Sequence, residues 1–292
     1  MTDKMFVIEN RVTNMDNFLN DVERDLERGL YISSFRAIIS MQDYMTVRGS
    51  YFTDITSAFR EVIMNGTING SSISIMDSAK ISNWIENIQN QATRLNLILN
   101  ISIQNYTLYQ SDPWNIHIGI NVTITLTDST NIAHWNKNTY IETQLSIVGF
   151  EDPLYIIHGL GRFSNTINIT PYEYNYTQYN GSVWNISNLL QHFENSFYAA
   201  NPEAPSFLMR FQNNLSASPY GIESMINLQK LSSRFSPDEM TIYYDKSVVD
   251  YIYWSNNNPQ LYAINFTPSW YKIDDVHRAK YNVTYISYYI YG

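Results

Sequence analysis

Trp114-Asn115-Ile116-His117-Ile118-Gly119-Ile120-Asn121-Val122-Thr123-Ile124-Thr125-Leu126 alternates apolar and polar residues without a break. Trp114, Ile116, Ile118, Ile120, Val122, Ile124 and Leu126 share one parity, and Asn115, His117, Gly119, Asn121, Thr123 and Thr125 take the other. Successive strand side chains point to opposite faces. The run therefore predicts an antiparallel strand with one face on a core and one in water. Upstream, Leu97, Leu99, Ile101 and Ile103 repeat the pattern. Downstream, a strand over 139–149 turns Ile141, Leu145 and Ile147 inward, and 153–158 adds another. Three or four such strands make a meander.

Before residue 96 the apolar period is 3.6 rather than 2. Residues 5–48 read as one long helix or two nearly continuous ones, and Gly49 is placed to end them. Ile8, Val12, Met15, Leu19, Val22 and Leu26 alternate spacings of four and three, which is a coiled-coil seam. Leu30, Phe35, Ile38, Ile39, Met41 and Met45 then widen the stripe, as for docking on a sheet. A continuous helix of this length reaches roughly 65 Å. Two uses are open, packing wholly within its own domain or acting as a stalk. Further helices are expected over 54–64, capped by Asn65-Gly66, and over 78–95, with Asp77 as N-cap and Ile81, Trp84, Ile85, Ile88, Ala92 and Leu95 on one face. The fold class that follows is α+β: a helical N-terminal region over 1–95 and an antiparallel β-rich head with short helices over 96–292.

Within that head, 163–170 and 172–179 are β-like and 186–199 is a helix with Leu189, Leu190, Phe193 and Phe197 apolar. Met240–Tyr244 and Val248–Trp254 read as strands, Asn256-Asn257-Asn258-Pro259 as a turn, and Leu261–Phe266 and Val283–Tyr291 as further strands around a short helix at Asp274–Lys280.

The 292 residues include no Cys, 24 Tyr and 6 Trp, with 33 Asn along the chain and only 15% charged residues. Zero Cys excludes thiolate zinc sites, iron–sulfur clusters and Cys nucleophiles. A net charge of −9 argues against nucleic acid as a partner. Asn-x-Ser/Thr triplets occur at Asn65, Asn69, Asn100, Asn105, Asn121, Asn168, Asn175, Asn180, Asn185, Asn214, Asn265 and Asn282. From the Asn, Ser and Thr content roughly five or six are expected by chance, so the excess is about twofold. It predicts N-glycosylation outside the cell, although an Asn-rich chain also makes chance triplets. Residues 1–64 hold none. Secreted eukaryotic proteins usually carry disulfides, so sequons without Cys fit an archaeal surface. No signal peptide or membrane span is visible. A helical pattern that starts at residue 5 is what an anchor removed from this chain would leave, and the expected location is extracellular.

Catalytic signatures are missing. His117, His134, His158, His192 and His277 stand singly and read as solvated surface residues, so no metal site is expected. Gly159-Leu160-Gly161 is too short to cradle phosphate, and Ser269-Trp270-Tyr271-Lys272 lacks the helix that a Ser-x-x-Lys nucleophile needs. Of the acidic pairs, Asp152 is expected to shape the turn at Pro153 and Asp274 to cap a helix. Tyr172, Tyr174 and Tyr176, with Tyr179, alternate along one segment, while Tyr251, Tyr253 and Trp254 crowd another. They serve either as sheet packing or as exposed platforms for sugars or proteins, and Tyr172, Tyr174, Tyr176, Tyr253 and Trp254 are the candidate ligand contacts.

Asp25-Leu26-Glu27-Arg28-Gly29-Leu30, Phe35-Arg36-Ala37-Ile38-Ile39, Asp112-Pro113-Trp114, Glu151-Asp152-Pro153-Leu154-Tyr155, Gly221-Ile222-Glu223-Ser224 and Val249-Asp250-Tyr251-Ile252-Tyr253 together resemble a family of uncharacterised archaeal cell-surface proteins. These are similar in plan to membrane-anchored, type IV pilin-like proteins. The resemblance implies an anchor continuing into a long helix and a β-rich head, and no catalytic residue or cofactor. The first functional expectation is thus a non-enzymatic ectodomain of an archaeal surface glycoprotein with a structural or adhesive role. It meets other surface proteins or itself through the N-terminal helix, and the membrane only through an anchor absent from this chain. A carbohydrate- or protein-binding module is second. A carboxylate-dependent hydrolase, which needs acidic side chains converging in a cleft, is third.

Overall fold

The computed structural model describes residues 2–257 and 259–290, with side chains from residue 5 onward. The chain is α+β and divides into two compact units. One comprises residues up to 44, 52–111 and 115–146; the other comprises 45–51, 112–114 and 147 onward. The sequence reading drew its boundary at 95/96, where the period changes. That change instead lies inside the first unit, because the three long strands share a core with the helices that precede them.

The first unit starts with α1 (Thr2–Arg48), one unbroken helix whose last four residues belong to the second unit. It continues through α2 (Ile55–Asn65), the short hairpin β1 (Thr67–Ile68) and β2 (Ser71–Ser72), and α3 (Ile81–Arg94). The sheet follows as β3 (Leu97–Asp112), β4 (Asn115–Asp128) and β5 (His134–Ser146), antiparallel in that order. On β4 the alternation is realised in full: Ile116, Ile118, Ile120, Val122, Ile124 and Leu126 are all buried, while Asn121 is exposed and His117, Thr123 and Thr125 are half-buried. An apolar strand face is stable only when it is covered, and the buried face of β4 lies in the same compact unit as the buried seam of α1. Met15, Leu19, Val22, Leu26, Leu30, Ile38 and Met41 are buried. Arg11 reaches Asp128 at 2.6 Å and Glu23 pairs with Lys137, which ties the helix to the strands β4 and β5.

The seam is therefore used up within the unit. Of the two roles open to the helix, internal packing accounts for most of its apolar side chains from Met15 onward; Met5, Phe6, Val7 and Ile8 at its start are exposed, as are Tyr31, Val47 and Phe35, the last of which was expected in the docking stripe. Asp54 caps α2 by accepting from the Thr56 and Ser57 amides, and Gly66 closes it in the left-handed region at φ +69°. The expected N-cap Asp77 instead ends a 3₁₀ turn at Ser74–Met76, and α3 starts three residues later, after Lys80. Gly29 lets α1 and α3 approach: a Cβ there would meet Trp84 Cγ at 2.8 Å.

The second unit is built of short pieces: α4 (Pro153–His158), the hairpin β6 (Gln178–Tyr179) and β7 (Trp184–Asn185), α5 (Ser187–Glu194), β8 (Ala199–Ala200), α6 (Phe207–Arg210), β9 (Ile222–Glu223), α7 (Leu228–Ser232), α8 (Asp250–Tyr253), β10 (Leu261–Ile264), β11 (Lys272–Asp274), α9 (Asp275–Lys280) and β12 (Ser287–Tyr289). β8 pairs with β9, and β10 is central between β11 and β12. Several expected strands are corrected here. Residues 153–158 and 250–253 are helical, 163–170 makes only isolated bridges, and 240–244 forms no strand. Pro153 at the first helical position and the Asp152 cap decide α4. The expected helix over 186–199 stops at Glu194, the turn 256–259 includes a residue outside those described, and of the strand expected over 283–291 Thr284–Ile286 is a 3₁₀ turn, Ser287–Tyr289 is strand and the last residue lies outside those described.

Replacing Gly29 by Ala should lower stability by about 1–3 kcal/mol, because the rigid Trp84 ring cannot yield to the added methyl group. Urea unfolding followed by circular dichroism measures it. Gly29 lies inside α1 with an ordinary helical φ, so no backbone cost of a positive φ adds to this overpacking.

Candidate functional site

The five aromatic residues proposed from sequence do not form one surface. Tyr172 is half-buried against Phe197, with ring centroids 6.4 Å apart. Tyr174 is 91% exposed and Tyr176 2%. The segment is a turn and not a strand, so its alternation gives no common face. Tyr174 and Tyr176 line a depression of about 280 Å³ with Glu173, Asn201, Pro202 and Lys280. Tyr253 and Trp254 line another of about 470 Å³ with His158, Tyr243, Lys246 and Asn256. A third groove, of about 510 Å³, lies between α1 and α3 in the first unit; its walls include Asp21, Arg24, Asp25 and Arg28, which pair among themselves.

The Trp254 cavity is the candidate binding site. Its wall is a sandwich of rings: His158 stacks on Trp254 at 4.8 Å and 5°, and Tyr155 meets the edge of the same indole at 4.6 Å. Lys246 Nζ donates to the carbonyls of Tyr253 and Ser255 and stands 5.3 Å from the Tyr243 ring. Burial pulls His158 down to about 4, and the nearby Lys246 charge adds to it, so the imidazole is neutral at neutral pH. Its Nε2 is buried without a protein partner, as is the hydroxyl of Tyr51, whose ring is 6.2 Å away. Tyr253 itself is only 4% exposed and its hydroxyl accepts from the Tyr243 amide, so Trp254 and Tyr243 are the Trp and Tyr side chains of this cavity open to a ligand. Tyr243, Lys246 and His158 were missed by sequence reading. The run Tyr243-Tyr244-Asp245-Lys246 carried the only signal for the first two, an aromatic pair entering a charged turn.

Beneath these surfaces lie two buried ionic clusters. Arg210, fully buried, donates to Asp152 at 2.5 Å, to Asp250 at 2.9 Å and to the Ile222 carbonyl. Ser224 donates to Asp250 at 2.9 Å, and the Tyr155 and Ser224 hydroxyls meet at 2.9 Å, while Tyr198 donates to Asp152 at 2.8 Å. In the second cluster His277 lies between Asp274 at 2.6 Å, through Nδ1, and Glu223 at 3.0 Å, through Nε2. Glu223 also takes Tyr281 at 2.8 Å, Lys280 at 2.9 Å and the Asn201 amide. Burial alone would lower the His277 pKa, but the Glu223 charge and the hydrogen bonds its ring donates to both carboxylates overcome it and raise it to about 10. Glu223, in spite of burial, is held well below the usual carboxylate range by His277 and Lys280.

Two expectations change here. His192 and His277 are buried and not solvated, His158 is half-buried against Trp254 with Nε2 enclosed, and His117 is half-buried with Ser111, Glu142 and a stacked Tyr109 around it. Asp152 and Asp274 do cap α4 and α9, and each has in addition a buried ionic role. The carboxylates converge, but in pairs closed to solvent and neutralised by Arg210, His277 and Lys280. Among the described residues no group of three or more His, Asp or Glu side chains is arranged to hold a metal ion, and no helix is long and apolar enough to cross a membrane. All twelve sequon asparagines are exposed. The buried or half-buried ones that the structure describes, Asn83, Asn115, Asn165, Asn188, Asn201 and Asn227, all lie outside sequons.

The His277 cluster gives a pH prediction. Its folded pKa lies above the ordinary 6.5, so its contribution is complete below about pH 6.5 and is lost as pH rises toward 10. Glu223, depressed from 4.5, contributes above that value and loses its contribution as pH falls below it. The urea midpoint should therefore fall between pH 7 and 10 in the parent chain, and His277→Gln should flatten that alkaline limb.

The chain matches no family model, no curated protein and no solved structure among those with which it was compared.

Proposed function

We propose that this protein is the ectodomain of an archaeal surface glycoprotein, membrane-anchored or pilin-like in plan, with a structural or adhesive role and no chemistry of its own. One observation carries the reading: every sequon asparagine is exposed, while the asparagines that packing encloses are all outside sequons. Acceptor sites that arose by chance need not avoid the interior; acceptor sites that bear glycans must. A cysteine-free chain whose core is completed by buried ion pairs in place of disulfides fits the same setting. The exposed Met5, Phe6, Val7 and Ile8 of α1 form an apolar stretch that a partner could cover.

Intact-glycopeptide mass spectrometry on protein isolated from its source organism tests this. Sugar on most of the twelve sites is expected, and asparagines that are bare throughout, or protein recovered with the cytosol, would sink it.

The second reading, a carbohydrate- or peptide-binding module, is favoured by the Trp254 cavity, whose size and ring-lined wall suit a small ligand. A saccharide or peptide that fills it should raise the unfolding temperature of the parent chain and not that of Tyr243→Ala. No shift across a glycan and peptide panel would remove it.

A further inference from the structure

The second unit presents a strip of three aromatic rings that no core contact explains. Tyr179 and Trp184 face each other across the β6–β7 hairpin, as a directly opposed pair with ring centroids 5.1 Å apart. Tyr285 extends the row, near-parallel to Trp184 at 20° with centroids 6.4 Å apart. Tyr179 is 56% exposed and Tyr285 84%, and Trp184 is half-buried. The two segments that build the strip, 174–193 and 281–292, contain no Asp, Glu, Lys or Arg. Large exposed rings set among amides and hydroxyls with no charge suit a neutral polyhydroxylated ligand. The C–H face of a pyranose lies flat on an aromatic face, buries apolar area and meets the electron-rich ring with polarised C–H groups. The charge beside the strip, Arg278, donates to the Thr284 carbonyl and the Ser287 hydroxyl and is paired with Asp275 at 2.9 Å, so it is already engaged.

The strip also carries its own source of sugar. Asn180 follows Tyr179, Asn185 follows Trp184, and both are exposed sequon sites. Asn185 pairs with Gln178, on the opposite pleat from the rings, and is aimed away from them. Asn180 opens the hairpin loop. Its Oδ1 accepts from the Ser182 and Val183 amides at 3.1 and 2.9 Å, which fixes the carboxamide at the end of the strip and leaves Nδ2 to carry a glycan. We infer that the strip of Tyr179, Trp184 and Tyr285 is the seat of the protein's own N-linked glycan, attached at Asn180. Tethering makes the contact intramolecular, so even a weak ring–sugar interaction is populated. The hairpin has only two residue pairs, a length at which an isolated ribbon is marginal, and the seated sugar would hold it closed.

This inference rests on the glycoprotein reading, and the test separates the two. Ser182→Ala destroys the sequon while keeping Asn180 and its loop hydrogen bonds, and peptide-level hydrogen exchange over 178–185 is compared with the parent protein, both made in the source organism. Exchange should be about five- to tenfold faster in Ser182→Ala, the range a single ring contact supports. Tyr285→Ala, which lies outside the hairpin, should lose part of the protection in the glycosylated protein and have no effect in the Ser182→Ala background. Glycan on Asn180 with unchanged exchange would overturn the seat and leave the glycoprotein reading standing. A bare Asn180 beside other occupied sites would do the same, whereas twelve bare sites would overturn both.

Discussion

The second unit depends on the enclosure of Arg210. A guanidinium removed from water costs several kcal/mol unless its charge and donors are met, and here Asp152, Asp250 and the Ile222 carbonyl meet the charge and both terminal nitrogens, while Nε is buried without a partner. These partners sit 58, 40 and 12 residues away along the chain. Once the three are satisfied, α4, α6, β9 and α8 have little freedom left. The cost of exposing any one partner is then the cost of a bare buried charge, which is why such a cluster fixes arrangement more than it adds stability.

The neighbouring His277 cluster extends this logic. Glu223 follows Ile222, whose carbonyl takes an Arg210 proton, and Ser224 donates to Asp250, so the three residues 222–224 serve both clusters. The surface features stand on this base. Lys280 and Asn201, which bind Glu223 from outside, form one wall of the depression at Tyr174, and Tyr155, hydrogen-bonded to Ser224, supports the indole of the larger cavity.

How much of this could be read from the residues alone differs between the units. α1 and β4 announced themselves, because a 3.6 or 2 period sustained over a dozen residues is decided locally and packing only confirms it. The second unit did not, since its pieces are two to eight residues long and its constraints are pairings between distant side chains. Asp152, Glu223, Ser224, Asp250 and Tyr251 were all noticed within short motifs, yet nothing in a motif says that it closes on an arginine 58 residues away. Arg210 left one trace, a charge set inside Phe207-Leu208-Met209-Arg210-Phe211. For the ligand contacts, the sequence marked tyrosines without saying which side of a turn they take. Tyr176 and Tyr253 went to the core, while Trp184 and Tyr285, far apart in the chain, came together outside.

The span of the Arg210 cluster also bears on how the chain reaches its structure. Joining Asp152 to Asp250 closes a loop of roughly a hundred residues, and the entropy of that closure must be met before any ionic contact rewards it. The strands β3, β4 and β5 can zip outward from short turns, each pair bringing its neighbour within reach. In the second unit the local pairs, such as the β6–β7 hairpin, can form early, but the Arg210 cluster cannot close until the residues from Asp152 through Asp250 are all available.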